Sequence, residues 1–206
     1  MAEIQLDAHN PAADALVPYL LEQDDLDAYV REGVDLLADW DRQDDADSAA
    51  AAFFNLTWEQ VLRRTFDDDL RARVRASGGS RWVQVLTDLL ARPDDAFWDD
   101  RTTEAVVEDR DTVLAESLAA ARREITRRQS VRPSQWTWGH HHRLDLVHQT
   151  LGTSGIGFVE RLLNRTDHEI GGGPNAVNAT AWNAAEGPRV TTAPSMRMVV
   201  SLADFD

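Results

Sequence analysis

The stretch Arg132-Pro133-Ser134-Gln135-Trp136-Thr137-Trp138-Gly139-His140-His141-His142 separates two textures of sequence. Upstream of it, apolar residues recur every three to four positions, the spacing of one helix face. Downstream, Gly, Asn, Pro and Thr rise and that period fades. The expectation is an α+β chain, with a mostly helical region over 1–132 and a strand- and loop-rich region over 133–206. Residues 12–21 carry Leu16, Val17, Leu20 and Leu21 on one face. Residues 25–39 repeat the pattern with Leu26, Tyr29, Val30, Val34, Leu36 and Leu37. Asp47-Ser48 reads as a cap before a helix over 49–66, because a short oxygen side chain can satisfy a free N–H of the first turn. A short amphipathic helix is expected over 80–91, ended by Pro93. Thr102 or Thr103 should open the longest helix, running to Thr126 with Val106, Val107, Val113, Leu114, Leu118 and Ile125 as its buried stripe. Beyond Pro133, residues 177–182 and 196–202 read as short strands bounded by Gly171-Gly172-Gly173-Pro174 and Ala193-Pro194.

Composition narrows the function classes. The chain has 206 residues, 36 acidic against 21 basic, and a net charge of −15. All 21 basic residues are Arg, and Asp outnumbers Glu 25 to 11. A nucleic-acid partner is not expected, since phosphates call for a basic patch. With 43% hydrophobic residues and seven Trp, the chain can bury a core despite its charge. An Asp-rich, Lys-free surface fits a soluble protein of a high-salt environment, where salt screens self-repulsion. A high-GC codon bias toward Ala, Arg, Asp and Gly is the alternative source of that composition. No apolar run reaches the about 18 residues of a membrane span. The first residues lack the basic and apolar regions of a signal peptide. Cysteine is absent, which excludes disulfides, thiolate metal sites and a cysteine nucleophile. The compartment stays open.

Few constellations carry chemistry by themselves. His140-His141-His142 with His148 suggests a metal site, but adjacent residues point to different sides of a helix or strand. No metal-ligand spacing surrounds them, so a structural histidine cluster is the better reading. The Gly171-Gly172-Gly173 run lacks the strand, helix and Lys of a phosphate loop and reads as a turn leading into a strand. Ser154 has no Gly-x-Ser-x-Gly setting. Asp44-Asp45, Asp99-Asp100 and the Asp67-Asp68-Asp69 run read as solvated surface.

The order of several short motifs adds a resemblance. Trp136-x-Trp138-Gly139-x-His141, followed by His148-x-x-Leu151-Gly152, resembles the C-terminal region of the penicillin acylase (penicillin amidase) family. Gly172-Gly173-Pro174-Asn175-Ala176-Val177-Asn178-Ala179 is similar to that family's Gly-Gly-x-x-Thr-Val-Asn-Ala segment. Pro194-Ser195-Met196-Arg197-Met198-Val199-Val200 is similar to its Gly-Pro-Ser-x-Arg-Met-Val-x-Asp stretch. Gln5-Leu6-Asp7 and Leu36-Leu37-x-x-Trp40-Asp41 also fit, so the likeness spans nearly the whole chain. Ala176 stands where the family has Thr, and Ser201 where it has Asp.

The resemblance implies an N-terminal-nucleophile hydrolase. Such enzymes are four-layer α/β/β/α sandwiches, and the short strands here would belong to that sheet. A Ser freed by cleavage of a precursor attacks an amide bond, with its own α-amine as base. A backbone N–H and an Asn side chain hold the tetrahedral intermediate before the acyl-enzyme forms. The nucleophile, the oxyanion Asn and the family's calcium-binding acids are expected upstream of Met1. No catalytic, cofactor-binding or metal residue is therefore assigned in this chain. His141, His148, Asn175 and Asn178 match motif positions, with the implied role of shaping loops and strand ends near the site. The expected partners are the upstream half or another subunit of the acylase and a small N-acyl substrate. The sequence thus reads as the C-terminal part of an acylase, split or truncated and inactive alone. The alternatives are a stand-alone helical interaction module without catalysis and an acidic solubilising subunit.

Overall fold

The computed structural model describes residues 2–70, 74–103, 105–194, 196, 198 and 200. A one-turn helix α1, Ala2–Gln5, leads into α2, Pro11–Leu21. The Asn10 side chain accepts the Ala12 N–H, and Pro11 fills the first position, where no N–H is needed. Helix α3, Ala28–Ala38, begins at a cap in which the Asp27 carboxylate accepts the Val30 N–H. Helix α4, Ala49–Phe66, is capped in the same way by Ser48 onto Ala51. Phe53, Phe54, Leu56, Trp58, Val61 and Leu62 of α4 are all buried. A helix buried along most of its circumference belongs at the centre of a bundle, and α4 packs against α3 and most extensively against α6, Arg110–Arg128. Gly33 of α3 permits the closest approach: a Cβ there would lie 2.8 Å from the Phe53 ring. Helix α5, Ser80–Leu90, adds Leu86, Leu89 and Leu90 and packs on α2.

The second part is built differently. A 3₁₀ turn at Pro133–Gln135 and the short helix α7, Trp138–His141, lead into β1, Arg143–Leu146. Helix α8, Gly157–Leu163, separates β1 from its antiparallel partner β2, Arg165–Glu169, with Arg143 opposite Glu169. A second ribbon pairs β3, Ala181–Asn183, with β4, Gly187–Thr192. The two ribbons meet where β1 lies against β4. Arg189 of β4 ties them through the carboxylates of Asp145 (2.5 Å) and Asp167 (3.2 Å).

Three tryptophans join this part to the helices. Trp136 stacks on Phe53 with ring centroids 5.8 Å apart. Trp138 meets Trp182 edge-on at 5.7 Å, and its Nε1 donates to the Gly172 carbonyl at 3.1 Å. All three belong to the helical core cluster. Aromatic pairs of this kind add about 0.5–1.5 kcal/mol beyond their burial. The chain is α+β, as the two textures of sequence imply.

Several boundaries differ from the sequence expectation. The longest helix starts at Arg110, not at Thr102 or Thr103. Asp100 captures both threonines instead, with Thr102 N donating to its carboxylate and Thr103 N to its carbonyl, each at 2.9 Å. Such local bonds compete with a helix. Asp109 provides the true cap onto Thr112, leaving Val106 and Val107 exposed. Helix α3 likewise begins at Asp27's cap and not at Asp25. The expected strand 177–182 is formed only from Ala181 onward. Asn178 N donates to Asp7 O at 2.7 Å and Thr180 N to Asn178 O at 2.8 Å, which closes a tight loop before the strand. Most of the expected strand 196–202 lies outside the described residues. Strands β1, β2 and β4 and helix α8 are only four to seven residues long, too short for a period to stand out in the sequence. Among the described residues, no helix is long and apolar enough to cross a membrane.

Candidate functional site

The region around the histidine tract and the glycine run has three polar centres. The first is His142. It is fully buried and stacked on Trp138 at 4.6 Å. One ring nitrogen pairs with the Pro188 carbonyl at 2.8 Å and the other with Thr180 Oγ1 at 3.2 Å. Burial pushes its pKa down to about 4, against weaker support for the charged form from those two partners. His142 is therefore a neutral post that joins α7 to the β3–β4 ribbon.

The second centre is the Asp44 carboxylate. Asn10 and Asn55 each donate an amide N–H to it at 2.8 Å. Asp44 is almost completely buried, and its pKa is raised well above the ordinary carboxylate value by desolvation, with the two amides pulling the other way. Its backbone reaches further, with Gly172 N donating to Asp44 O at 2.7 Å. Gly172 itself sits at φ +93°, and a Cβ there would collide with Asn178 O and Thr180 Oγ1. The glycine run is thus a closely packed buckle over Asp44 and opens no phosphate-binding helix.

The third centre is an open cleft of about 500 Å³ lined by Arg128, His140, His141, Arg143, Pro188 and Arg189 among others. Its arginines are already engaged by Glu124, Asp145, Asp167 and Glu169. His141 is buried at its edge, 2.7 Å from the Gln129 amide nitrogen. Desolvation, helped by nearby Arg128, lowers its pKa to about 3. A neutral imidazole whose Nε2 accepts that amide N–H holds the turn between α6 and α7.

The four residues singled out from the motifs do not converge. His141 lines the open cleft. Asn175 and Asn178 share the loop that follows Gly173, and Asn175 Nδ2 donates to Gly78 O at 3.1 Å. His148 stands apart on an exposed turn, where its Nδ1 accepts the N–H groups of Thr150 and Leu151 at 3.3 and 3.1 Å. Ser154 Oγ accepts the Ile156 N–H in another exposed turn, and no His or acid engages it among the described residues. Among the described residues, no three or more acids and histidines gather into a group that could hold a metal.

Comparison with known proteins gives this architecture a context. The penicillin amidase family model matches residues 1–206. The chain belongs to the penicillin amidase family. It is 30% identical over 183 residues to the acyl-homoserine lactone acylase QuiP of Pseudomonas syringae pv. tomato, covering 84% of this chain and 22% of the relative. The QuiP of Pseudomonas aeruginosa is 28% identical over 193 residues, covering 85% of this chain and 23% of the relative. The QuiP of Pseudomonas putida is 34% identical over 107 residues, 47% of this chain and 12% of the relative. The chain therefore spans less than a quarter of the length of these relatives.

The sequence did not single out Asn10, Asn55 or Arg122, and it read His142 as one member of a structural histidine cluster, without its partners. Arg122 is fully buried, with its guanidinium donating to Tyr29 O (2.8 Å), Thr126 Oγ1 (2.6 Å) and Val131 O (2.9 Å) and lying 3.9 Å from the Tyr29 ring centre. One signal was present: Leu118, Ala121, Arg122 and Ile125 share one face of α6 at helical spacing, so an arginine lies in the apolar stripe.

Proposed function

We propose that this chain is one structural part of an amidohydrolase that cleaves the carbon–nitrogen bond of N-acyl compounds through an acyl-enzyme. The observation that carries this reading is the match to the penicillin amidase family along all 206 residues. Acyl-homoserine lactone acylases among the relatives make an N-acyl-homoserine lactone the first substrate to try. The nucleophilic Ser, the oxyanion Asn and any calcium ligands come from polypeptide other than these 206 residues. This chain supplies a helical body and two ribbons that extend the catalytic sandwich, and it has no turnover by itself. Its exposed apolar residues support assembly with further polypeptide. Ile156, Phe158 and Leu162 lie at the start of α8 or within it and are each more than half exposed, as on surfaces that become covered. A high-salt setting accords with the charge of −15 and the absence of Lys.

The test is to purify the chain alone and together with the acylase segments encoded beside it. Release of the acyl group from an N-acyl-homoserine lactone and from a phenylacetyl anilide is then measured. The expected result is turnover by the assembly and none by the chain alone. Turnover by the pure 206-residue chain, abolished by Ser154→Ala, would overturn the proposal. Failure of any acylase segment to associate would favour the interaction-module reading.

A further inference from the structure

Two buried polar atoms, Trp182 Nε1 and Asn175 Oδ1, have no hydrogen-bond partner among the described residues, and both residues line the same small cavity. An indole N–H can only donate, and an amide oxygen can only accept. The Asn175 amide is oriented by its other end, where Nδ2 donates to Gly78 O. Leaving either atom unpaired in the interior is costly, so each calls for a partner. Asn10, Asp44, Asn55 and Trp58 are among the other residues that line this cavity. It measures about 10 Å³, taken as the space open to the centre of a water molecule. That is the lower limit for holding one water, about 10–15 Å³.

We propose that this cavity is a binding site for a single water molecule, which accepts a hydrogen bond from Trp182 Nε1 and donates to Asn175 Oδ1 and the Asp44 carboxylate. The set of partners selects water over the other small ligands. A metal cation could use the oxygens of Asp44 and Asn175 but would face the hydrogen of the Trp182 indole. An anion would accept from the indole but would face the carboxylate and the Asn175 oxygen. Water both donates and accepts, and three bonds is the usual number for a buried one. Asp44 keeps lone pairs for it, since a carboxylate offers about four acceptor positions and the Asn10 and Asn55 amides occupy two. The bound water joins three segments distant in sequence: the turn before α4, the loop after Gly173, and β3. It is the polar counterpart of the Trp138–Trp182 contact, a keystone between the strand ribbons and the helical body.

The test combines a crystal structure of the full chain, at a resolution that shows ordered water, with two variants. The expected density is one water peak within hydrogen-bond distance of both Trp182 Nε1 and Asn175 Oδ1. In solution, the Trp182 indole N–H should show a cross-peak to a water that exchanges more slowly than surface water. Trp182→Phe and Asn175→Ala should each lower the thermal midpoint, and the double variant should lose less than the sum of the two shifts. An empty cavity, an indole N–H paired directly to a protein oxygen, or a peak with the short, oxygen-only contacts of a cation would each overturn the proposal. If a variant fails to fold, the density and the cross-peak in the unaltered chain decide.

Discussion

In α4, Phe53, Phe54, Leu56, Val61 and Leu62 are nearly inaccessible to solvent, whereas every residue of β2 is exposed. The helical part carries its own core. Among the described residues, the strand-bearing part has no comparable core and is held by Trp136, Trp138, Trp182 and His142, which insert into the helices or stack beside them. The lesson is that secondary structure and stability are distributed unequally here. The helices bury their stripes against each other, while the ribbons rest on a few large anchors and on ion pairs such as Arg189 with Asp145. Exposed pairs of that kind each contribute only about 0–1 kcal/mol.

The comparison can be broken most sharply at an anchor. Trp138→Ala removes the stack on His142, the edge contact with Trp182 and the bond to Gly172 O. The expected loss is about 3–5 kcal/mol, as for other buried Trp truncations, measured by denaturant unfolding. Amide exchange should accelerate in β1–β4 more than in α4. Equal acceleration in both parts would show that they unfold as one unit and that the contrast is only apparent.

Protons sharpen the same contrast. His142 and His141 stay neutral in the folded chain down to about pH 4 and 3, held there by desolvation, while the unfolded chain takes up those protons below about pH 6.5. The unfolded state then binds more protons, so stability should fall as pH drops from about 6.5 toward 4. For His142 the full effect is on the order of 3 kcal/mol. Asp44 works in the opposite sense: its raised pKa favours the fold at low pH, and that contribution is lost as pH rises through the folded value. The thermal midpoint of His142→Gln should therefore depend less on pH across this interval than that of the unaltered chain. An identical pH profile would remove His142 from the anchor set.

Salt should act on the whole molecule more gently. With a charge of −15, self-repulsion is felt while the Debye length is about 10 Å, near 0.1 M salt, and is screened at molar concentrations. The thermal midpoint should rise by several degrees from dilute to molar KCl. A flat or falling midpoint would remove the high-salt reading.

The smallest effect is expected on α8. Phe158 is 68% exposed, so Phe158→Ser should change stability by less than about 0.5 kcal/mol. The same change should weaken association with the acylase segments if α8 is covered in the assembly. A large loss of stability in the isolated chain would mean that α8 is packed internally, and the proposed covered face would fall.

The sequence by itself determined the helices of the first part. Its apolar residues repeat at 3.6 positions, and its caps, Ser48 above all, are read within a few residues of chain. The ordered motifs from Trp136 to Val200 determined the family. The start of α6 escaped because Asp100 and Asp109 offer two competing sets of local bonds, and only the packed structure selects Asp109. The ribbons escaped, apart from the start of β3 at Ala181 and Trp182, because strands of three to six residues are too short for alternation to stand out. The tertiary structure decided what the polar residues do. Asp44 sits in a run of acids that reads as solvated surface, yet it is buried by Asn10, Asn55 and the Gly172 loop, from positions up to 128 residues away. His142 is one of three adjacent histidines, and only the arrival of Trp138, Thr180 and Pro188 around its ring makes it a buried, neutral post. Local periodicity fixes which face of a helix is apolar, but a polar group's partners are set by long-range contacts that no short stretch of chain encodes.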